Sequence, residues 1–197
     1  MNLPNKLTIL RIILVPIVCL VWLFPYQQFD ISIGYFTIFG VTVSYLNIIV
    51  LAIFCIASFT DFLDGQIARK KNLVTTFGKF ADPIADKLLV NMMLVLLSYK
   101  HMIPVIPVIL MILRDIVVDG CRMIAAQRGD VVSAGILGKL KTAFQMFTII
   151  FVMLNNLPFE IIHLPISDIL VWFTSFISVM GGYSYFMQVK KYIFESM

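Results

Sequence analysis

The stretch Asp61-Phe62-Leu63-Asp64-Gly65-Gln66-Ile67-Ala68-Arg69, followed after eight residues by Gly78 and then by Asp82 and Asp86, sets four aspartates between two long apolar runs. If Asp61 and Asp64 continue a helix from the run before them, their i, i+3 spacing puts both carboxylates on one face. Asp82 and Asp86, spaced i, i+4, do the same at the start of the next helix. Two adjacent helices then aim four carboxylates into a shared space. Like charges this close repel unless they are protonated or bridged by cations. Hard oxygen ligands suit Mg²⁺, Mn²⁺ or Ca²⁺, and Mg²⁺ is usually held by few carboxylates together with a substrate phosphate. An ordinary capped helix end would explain Asp82 alone, and perhaps Lys70 and Lys71. It does not explain four acids paired across two helices, at a depth where each charge costs about 2.5–3.5 kcal/mol.

The surrounding composition makes that depth a membrane. The chain has 197 residues, of which 60% are apolar and 13% charged, against about 25% charged in a soluble domain. Too little polar surface is present to cover a water-soluble fold. The apolar residues come in runs near the roughly 20 residues needed to cross hydrocarbon. Six spans are expected, at about Leu7–Phe24, Ile33–Phe59, Pro83–Tyr99, Pro104–Ala126, Leu137–Asn155 and Pro165–Val189. The first has a basic start but runs too long for a signal core and lacks a small-residue cleavage site, so it stays as a membrane helix. The runs lack the alternation of a barrel strand, which leaves helices as the form that satisfies the backbone internally. Pro83 and Pro104 fall at expected helix starts, and Asp82 directly before Pro83 suits an N-cap. The fold class is therefore all-α integral membrane, a single domain over residues 1–197 with a polar cleft at one face.

Orientation follows from the placement of lysine and arginine. With the N-terminus in the cytoplasm, that side receives Lys6, Arg11, Arg69, Lys70, Lys71, Lys79, Lys87, Arg122, Arg128, Lys139, Lys141, Lys190 and Lys191, and the other side receives Lys100. This asymmetry places both termini and the aspartates at the cytoplasmic face of a multi-pass cell-membrane protein. The net charge of +4 suits anionic lipid but identifies no substrate. Cys19, Cys55 and Cys121 show no metal or redox spacing and read as small core residues. His101 and His163 read as loop residues, Met92 and Met93 as packing, and Tyr183 and Tyr185 as interfacial anchors.

Gly65 and Gly78 leave no side chain where the backbone can approach a ligand. Ala68 is small, and Arg69 can pair with a phosphate. At all eight fixed positions the segment matches the signature D-x-x-D-G-x-x-A-R-x8-G-x3-D-x3-D, and the chain thereby resembles the CDP-alcohol phosphotransferase family. At an average usage of about one in 15 per position, chance agreement is on the order of one in a billion per start site. The resemblance implies a six-helix core, a homodimer and a CDP-linked lipid donor. It also implies two Mg²⁺ or Mn²⁺ ions, one held by Asp61, Asp64 and Asp82 and a second surrounded by Asp61, Asp82 and Asp86. Gly65, Ala68, Arg69 and Gly78 would cradle the CDP, and Asp86 would be the general base.

Two looser matches bear on the acceptor. Asn2-Leu3-Pro4-Asn5-Lys6-Leu7-Thr8-Ile9-Leu10-Arg11 is similar to the opening of the phosphatidylglycerophosphate synthase branch, and so are Arg114-Asp115, Arg122 and Gly138-Lys139-Leu140-Lys141-Thr142 to a later stretch of it. Arg114, Asp115, Asp119 and Arg122 also interrupt a span that should be apolar, and ionisable groups there usually face a bundle interior or aqueous cavity. A basic pocket beside the metals suits glycerol 3-phosphate. Thr8, Arg11, Arg114, Arg122, Lys139 and Lys141 are its expected phosphate ligands. For Lys139 and Lys141 the alternative is ordinary positive-inside flanking, and for Arg114 a pair with an aspartate of its own helix. The resemblance thus implies transfer of a phosphatidyl group from CDP-diacylglycerol to glycerol 3-phosphate, with phosphatidylglycerol phosphate and CMP as products. A sibling enzyme acting on inositol phosphate, serine or a glycerolipid is the alternative. A divalent-cation transporter is more remote, because its acids should run through the bilayer depth rather than gather at one face.

Overall fold

Asn2 stands just ahead of the first apolar run, where its side chain accepts the Asn5 N–H at 3.2 Å, and Pro4 sits in the first turn, where its missing donor does no harm. Together they start α1, Leu3–Leu23. The structure, a computed structural model, describes residues 2–70, 75–127, 129 and 135–194; side chains are described for all of these except 62–64, 66–70, 79, 193 and 194. The other helices are α2 (Tyr45–Lys70), α3 (Thr76–Tyr99), α4 (Val105–Gln127), α5 (Ile136–Met153) and α6 (Ile166–Phe194). They group into two compact units, one of residues 1–96 with 153–164 and one of residues 97–152 with 165–197.

In the first unit, α1 buries Pro4, Asn5, Thr8, Arg11, Val15, Val18 and Trp22. Steps of three and four residues keep these on one stripe. The stripe packs along α2, and the two helices run antiparallel. Arg11 Nε donates to the Ala57 carbonyl at 3.3 Å toward one end, and Trp22 Nε1 donates to Asn47 Oδ1 at 3.2 Å toward the other. Leu10, Ile13, Ile17 and Leu20 are exposed on the same helix. A water-soluble helix has the opposite arrangement; an apolar outside with polar groups inside suits lipid.

The second expected span, Ile33–Phe59, begins differently in the structure. Residues 35–44 form an antiparallel hairpin of β1 (Tyr35–Ile38) and β2 (Val41–Ser44), with Tyr35 opposite Ser44 and Ile38 opposite Val41. Its turn is Phe39-Gly40, with φ of 50° and 82°, the backbone that a two-residue hairpin needs. Val41 and Val43 point inward while Thr42 is exposed, so the short alternation wins locally over the apolar run. Ser44 Oγ then accepts the Leu46 N–H at 3.2 Å, and α2 starts there, continuing past Phe59 through the motif to Lys70.

The third span is also corrected. Instead of starting at Pro83, α3 starts at Thr76 and carries Pro83 in its interior. Asp82 is therefore no cap. Thr75 fills that role, its Oγ1 accepting the Gly78 N–H at 3.0 Å while donating to Asn5 Oδ1 at 2.9 Å. The whole first turn of α3 is thus tied to α1, which places Asp82 and Asp86 within a helix. The fifth expected span closes at Met153, short of Asn155, because Asn155 and Asn156 adopt left-handed backbone. Asn155 Nδ2 reaches the Thr42 carbonyl at 2.6 Å.

In the second unit, α4 packs against α6, and α5 joins them through polar contacts. Thr148 and Thr174 hydroxyls meet at 3.0 Å, and Phe144 sets its ring edge-on to Phe173. Ile106, Ile109, Leu113, Ile116, Trp172 and Phe176 lie exposed. Among the described residues α1, α5 and α6 are long and apolar enough to cross a membrane; the apolar part of α2, Tyr45–Asp61, is shorter. Cys121 is buried against Ala125 and Val189, whereas Cys55 is exposed. Replacing Thr75 with valine should remove the α3 cap and lower stability by about 1 kcal/mol. A thermal denaturation curve in detergent should then show a midpoint about 2–4 °C lower.

Candidate active site

Three of the four aspartates have described side chains, and all lie in the first unit. Asp61 near the end of α2 receives Arg11 Nη1 at 2.6 Å. The Arg11 side chain is 0% exposed and that of Asp61 39%. The pair is therefore asymmetric, with its cation sealed between helices and its carboxylate partly exposed. An ionised arginine inside a span is costly without a partner, and Asp61 together with the Ala57 carbonyl supplies one. Thr8, one turn before Arg11 on α1, donates from Oγ1 to Asp82 Oδ1 at 2.6 Å; the Pro4 carbonyl lies 3.1 Å from the same hydroxyl. Each contact engages an Oδ1 and fixes how the carboxylate is turned.

Gly78 lies one turn before Asp82. A Cβ there would sit 3.3 Å from Thr75 Oγ1, 3.4 Å from Asn5 Oδ1 and 3.6 Å from Asp82 Oδ2. The glycine thus lets the start of α3 pack closely against Asn5 of α1. Asp86 follows one turn later and is half-buried. Gly65 is half-buried on α2, while Asp64, Ala68 and Arg69 lie on α2 with side chains outside the described set. Among the described residues no three carboxylate, imidazole or thiol groups converge as a metal cage. The donor set nevertheless fits a hard divalent ion, since it consists of carboxylate oxygens oriented by neighbouring donors.

Thr8 and Arg11 were expected on the acceptor's phosphate. In the structure both are engaged with the aspartates. Their spacing with Asn5 along α1 was visible in the sequence as three polar residues at steps of three, a signal that pointed to one inward face. Thr75, which with Asn5 holds the start of α3, carried no such signal.

The remaining basic residues lie in the second unit. Asp115 on α4 is buried and accepts three bonds, from Arg114 Nη1 at 3.0 Å and from Lys141 Nζ at 3.0 and 2.8 Å. Arg114 Nε also donates to the Ser178 carbonyl at 3.1 Å. The helix-internal pairing considered for Arg114 is thus present, and a lysine from α5 joins it. Arg122 donates from Nη2 to Tyr185 Oη at 3.0 Å, and the guanidinium carbons of Arg114 and Arg122 lie 5.8 and 5.2 Å from the Tyr185 ring centre. Tyr185 is 2% exposed. It is a buried support for the arginines, unlike the interfacial anchor expected, while Tyr183 does face outward. The stripe Thr174, Ser178, Gly181 and Tyr185, at steps of four and three, is the pattern in α6 that marks this inward face. Lys139 is exposed.

The model of the family described as CDP-alcohol phosphatidyltransferase matches residues 1–180. Among curated proteins, the chain is 43% identical over 185 residues to a Bacillus subtilis (strain 168) protein named CDP-diacylglycerol–glycerol-3-phosphate 3-phosphatidyltransferase, covering 94% of this chain and 93% of that one. A Rickettsia felis protein of the same name is 38% identical over 192 residues, covering 97% of each. One from Salmonella choleraesuis, also of that name, is 34% identical over 149 residues, covering 74% of this chain and 72% of its own.

Thr8→Val removes the donor that turns Asp82 while keeping the side chain's shape. Manganese binding, followed by the loss of free-ion EPR signal, should weaken by about ten-fold. Thr8→Ser should restore it, and unchanged binding in the valine variant would detach Thr8 from the ion.

Proposed function

The chain belongs to the CDP-alcohol phosphatidyltransferase family, and on that footing we propose that it transfers the phosphatidyl group of CDP-diacylglycerol to glycerol 3-phosphate. The products are phosphatidylglycerol phosphate and CMP. The observation that carries this reading is similarity over nearly the whole chain to relatives that bear the name of that transferase. Every fixed position of the aspartate motif is also present.

In this reading Asp61, Asp64, Asp82 and Asp86 hold the divalent ions, Mg²⁺ or Mn²⁺, which members of the family generally use. A bound pair of ions would neutralise the donor's diphosphate and stabilise the departing CMP. The protein's own residues do the rest. Gly65, Ala68, Arg69 and Gly78 receive the CDP portion, where small residues admit the nucleotide and the arginine meets phosphate. Asp86 takes the proton from the acceptor's terminal hydroxyl. The oxygen of that hydroxyl bonds to the donor's β-phosphorus as the bond from that phosphorus to CMP breaks. Thr8 and Arg11 orient Asp82 and Asp61, and reach an acceptor phosphate only by exchanging those contacts. Arg114, Arg122, Lys139 and Lys141 bind the acceptor's phosphate.

The apolar helices and the family place the protein in a membrane. We further propose a multi-pass protein of the cell membrane with six crossings and both termini cytoplasmic, a reading supported by the lysine and arginine asymmetry. The chain acts as one domain, consistent with a family match over residues 1–180, and as a homodimer.

Purified protein supplied with CDP-diacylglycerol, a divalent ion and a panel of alcohols should release CMP with glycerol 3-phosphate and little with serine, inositol phosphate or a glycerolipid. Release with another alcohol instead would reassign the acceptor. Asp86→Asn should lower turnover by about 10²–10⁴-fold with the fold retained; near-normal turnover would remove Asp86 as the base. Arg114→Ala should raise the acceptor KM by about ten- to a hundred-fold with little change for the donor.

A further inference from the structure

The turn of the 35–44 hairpin holds a residue that turn chemistry disfavours. Both of its central positions need positive φ, which Asn-Gly supplies most readily. This chain places Phe39 at the first of them, with φ 50°, a backbone that bulky side chains rarely adopt. Phe39 is also 79% exposed, so packing within the chain does not offset that conformation. Backbone held in a disfavoured region is a reason to look for what the side chain does there.

The two faces of the ribbon differ. Its register sets Tyr35 opposite Ser44 and Thr37 opposite Thr42 on one face, and Phe36 opposite Val43 and Ile38 opposite Val41 on the other. The first face carries hydroxyls, and those of Thr37 and Thr42 lie exposed 3.4 Å apart. The second is buried at Val41 and Val43 and emerges toward the tip, where Ile38 is 43% exposed. The Tyr45 N–H donates to the Gly34 carbonyl at 3.1 Å, and Asn155 Nδ2 to the Thr42 carbonyl at 2.6 Å. Both bonds fasten the ribbon to its own unit. No Asp, Glu, Lys or Arg occurs from Ile31 to Thr60, whereas strand edges that face water usually carry charge.

The neighbouring surface says what covers the tip. Helix α1 is long and apolar enough to cross a membrane; it exposes Leu20 and Leu23, followed by Phe24, as the chain leaves it for the hairpin. Tyr45 and Ile49 are exposed where the chain enters α2. The apolar tip therefore continues a lipid-facing surface. The ribbon's backbone cannot follow it into hydrocarbon, because the outer N–H and C=O groups of two paired strands need partners that lipid does not offer. The two constraints meet at the level of the headgroups. We propose that the 35–44 hairpin is a membrane-interface anchor: Phe39 and Ile38 dip into the lipid surface while the hydroxyl face stays wet. The surface is the one remote from Asp61. The apolar part of α2, Tyr45–Asp61, rises about 24 Å, near the short end of what crosses about 30 Å of hydrocarbon. A span that short needs its start held at the boundary, and the hairpin runs directly into Tyr45.

The test uses the full-length protein in vesicles of dioleoylphosphatidylcholine. In a Trp172→Phe background, Phe39→Trp adds a reporter at the tip and Thr42→Trp one on the hydroxyl face; the emission of the buried Trp22 is subtracted with the parent. The Phe39→Trp emission should be blue-shifted, and lipids brominated near the headgroup end of the chain should quench it about two-fold more than lipids brominated at the chain centre. The Thr42→Trp emission should be quenched more by aqueous acrylamide than by either lipid. In the unaltered protein, a lipid with a diazirine at the top of its acyl chain should photolabel Ile38 and Phe39, a readout that needs no folded variant. Quenching of Phe39→Trp mainly by acrylamide would overturn the anchor, and so would quenching strongest at the chain centre. Quenching by neither, as a second copy or another protein over the tip would give, overturns it equally, as does a photolabel that misses both residues.

Discussion

An ionised side chain within a hydrocarbon-spanning helix must find its counter-charge inside the protein, and the structure is organised around that constraint. Arg11 meets Asp61, and Lys141 and Arg114 meet Asp115. Each link joins different helices, apart from the neighbouring pair Arg114–Asp115. The apolar side chains of the same helices point outward, so lipid replaces water as the medium that the surface has to match. Hydrophobic burial cannot then choose which faces of the helices meet. Polar pairing and close packing take over that task.

The same pairs prepare the chemistry. A carboxylate held by Arg11 or Thr8 through one oxygen is already turned, so in the proposed reading a metal ion would meet an oriented ligand rather than a freely rotating one. The glycines serve in a complementary way, by subtraction. Gly78 lets α3 approach Asn5 and Asp82 closely, and Gly182 admits the Arg114 stem, where a Cβ would collide with Arg114 Cγ. In both units a tethered polar group packs against backbone that lacks a side chain.

Much of this was legible in the sequence, and the parts that were not share a cause. The helical runs emerged because membrane length is a property of composition along the chain, and the aspartate motif because its spacing is short and local. The residues of the hairpin at 35–44 were read as helix because their apolar content matched a span, while the Phe39-Gly40 turn and the inward Val41 and Val43 reveal themselves only once the strands pair. Pro83 looked like a helix start. Thr75 lies eight residues earlier and caps the helix through a hydroxyl that also needs Asn5 from α1. Tyr185 looked like an interfacial aromatic until two arginines from α4 were found against its ring.

By itself the sequence determined the medium, the helical class and the candidate carboxylates, because hydropathy, helical period and a gap-free motif are all read within a few turns of chain. Tertiary structure alone decided which polar group each charge would meet. Thr8 and Asp82 lie 74 positions apart, and Arg114 and Ser178 lie 64 apart. Across such separations a buried charge can be satisfied by any partner that the packing brings near. The chain's local pattern states that a partner is required, and only the packed helices determine which one it is.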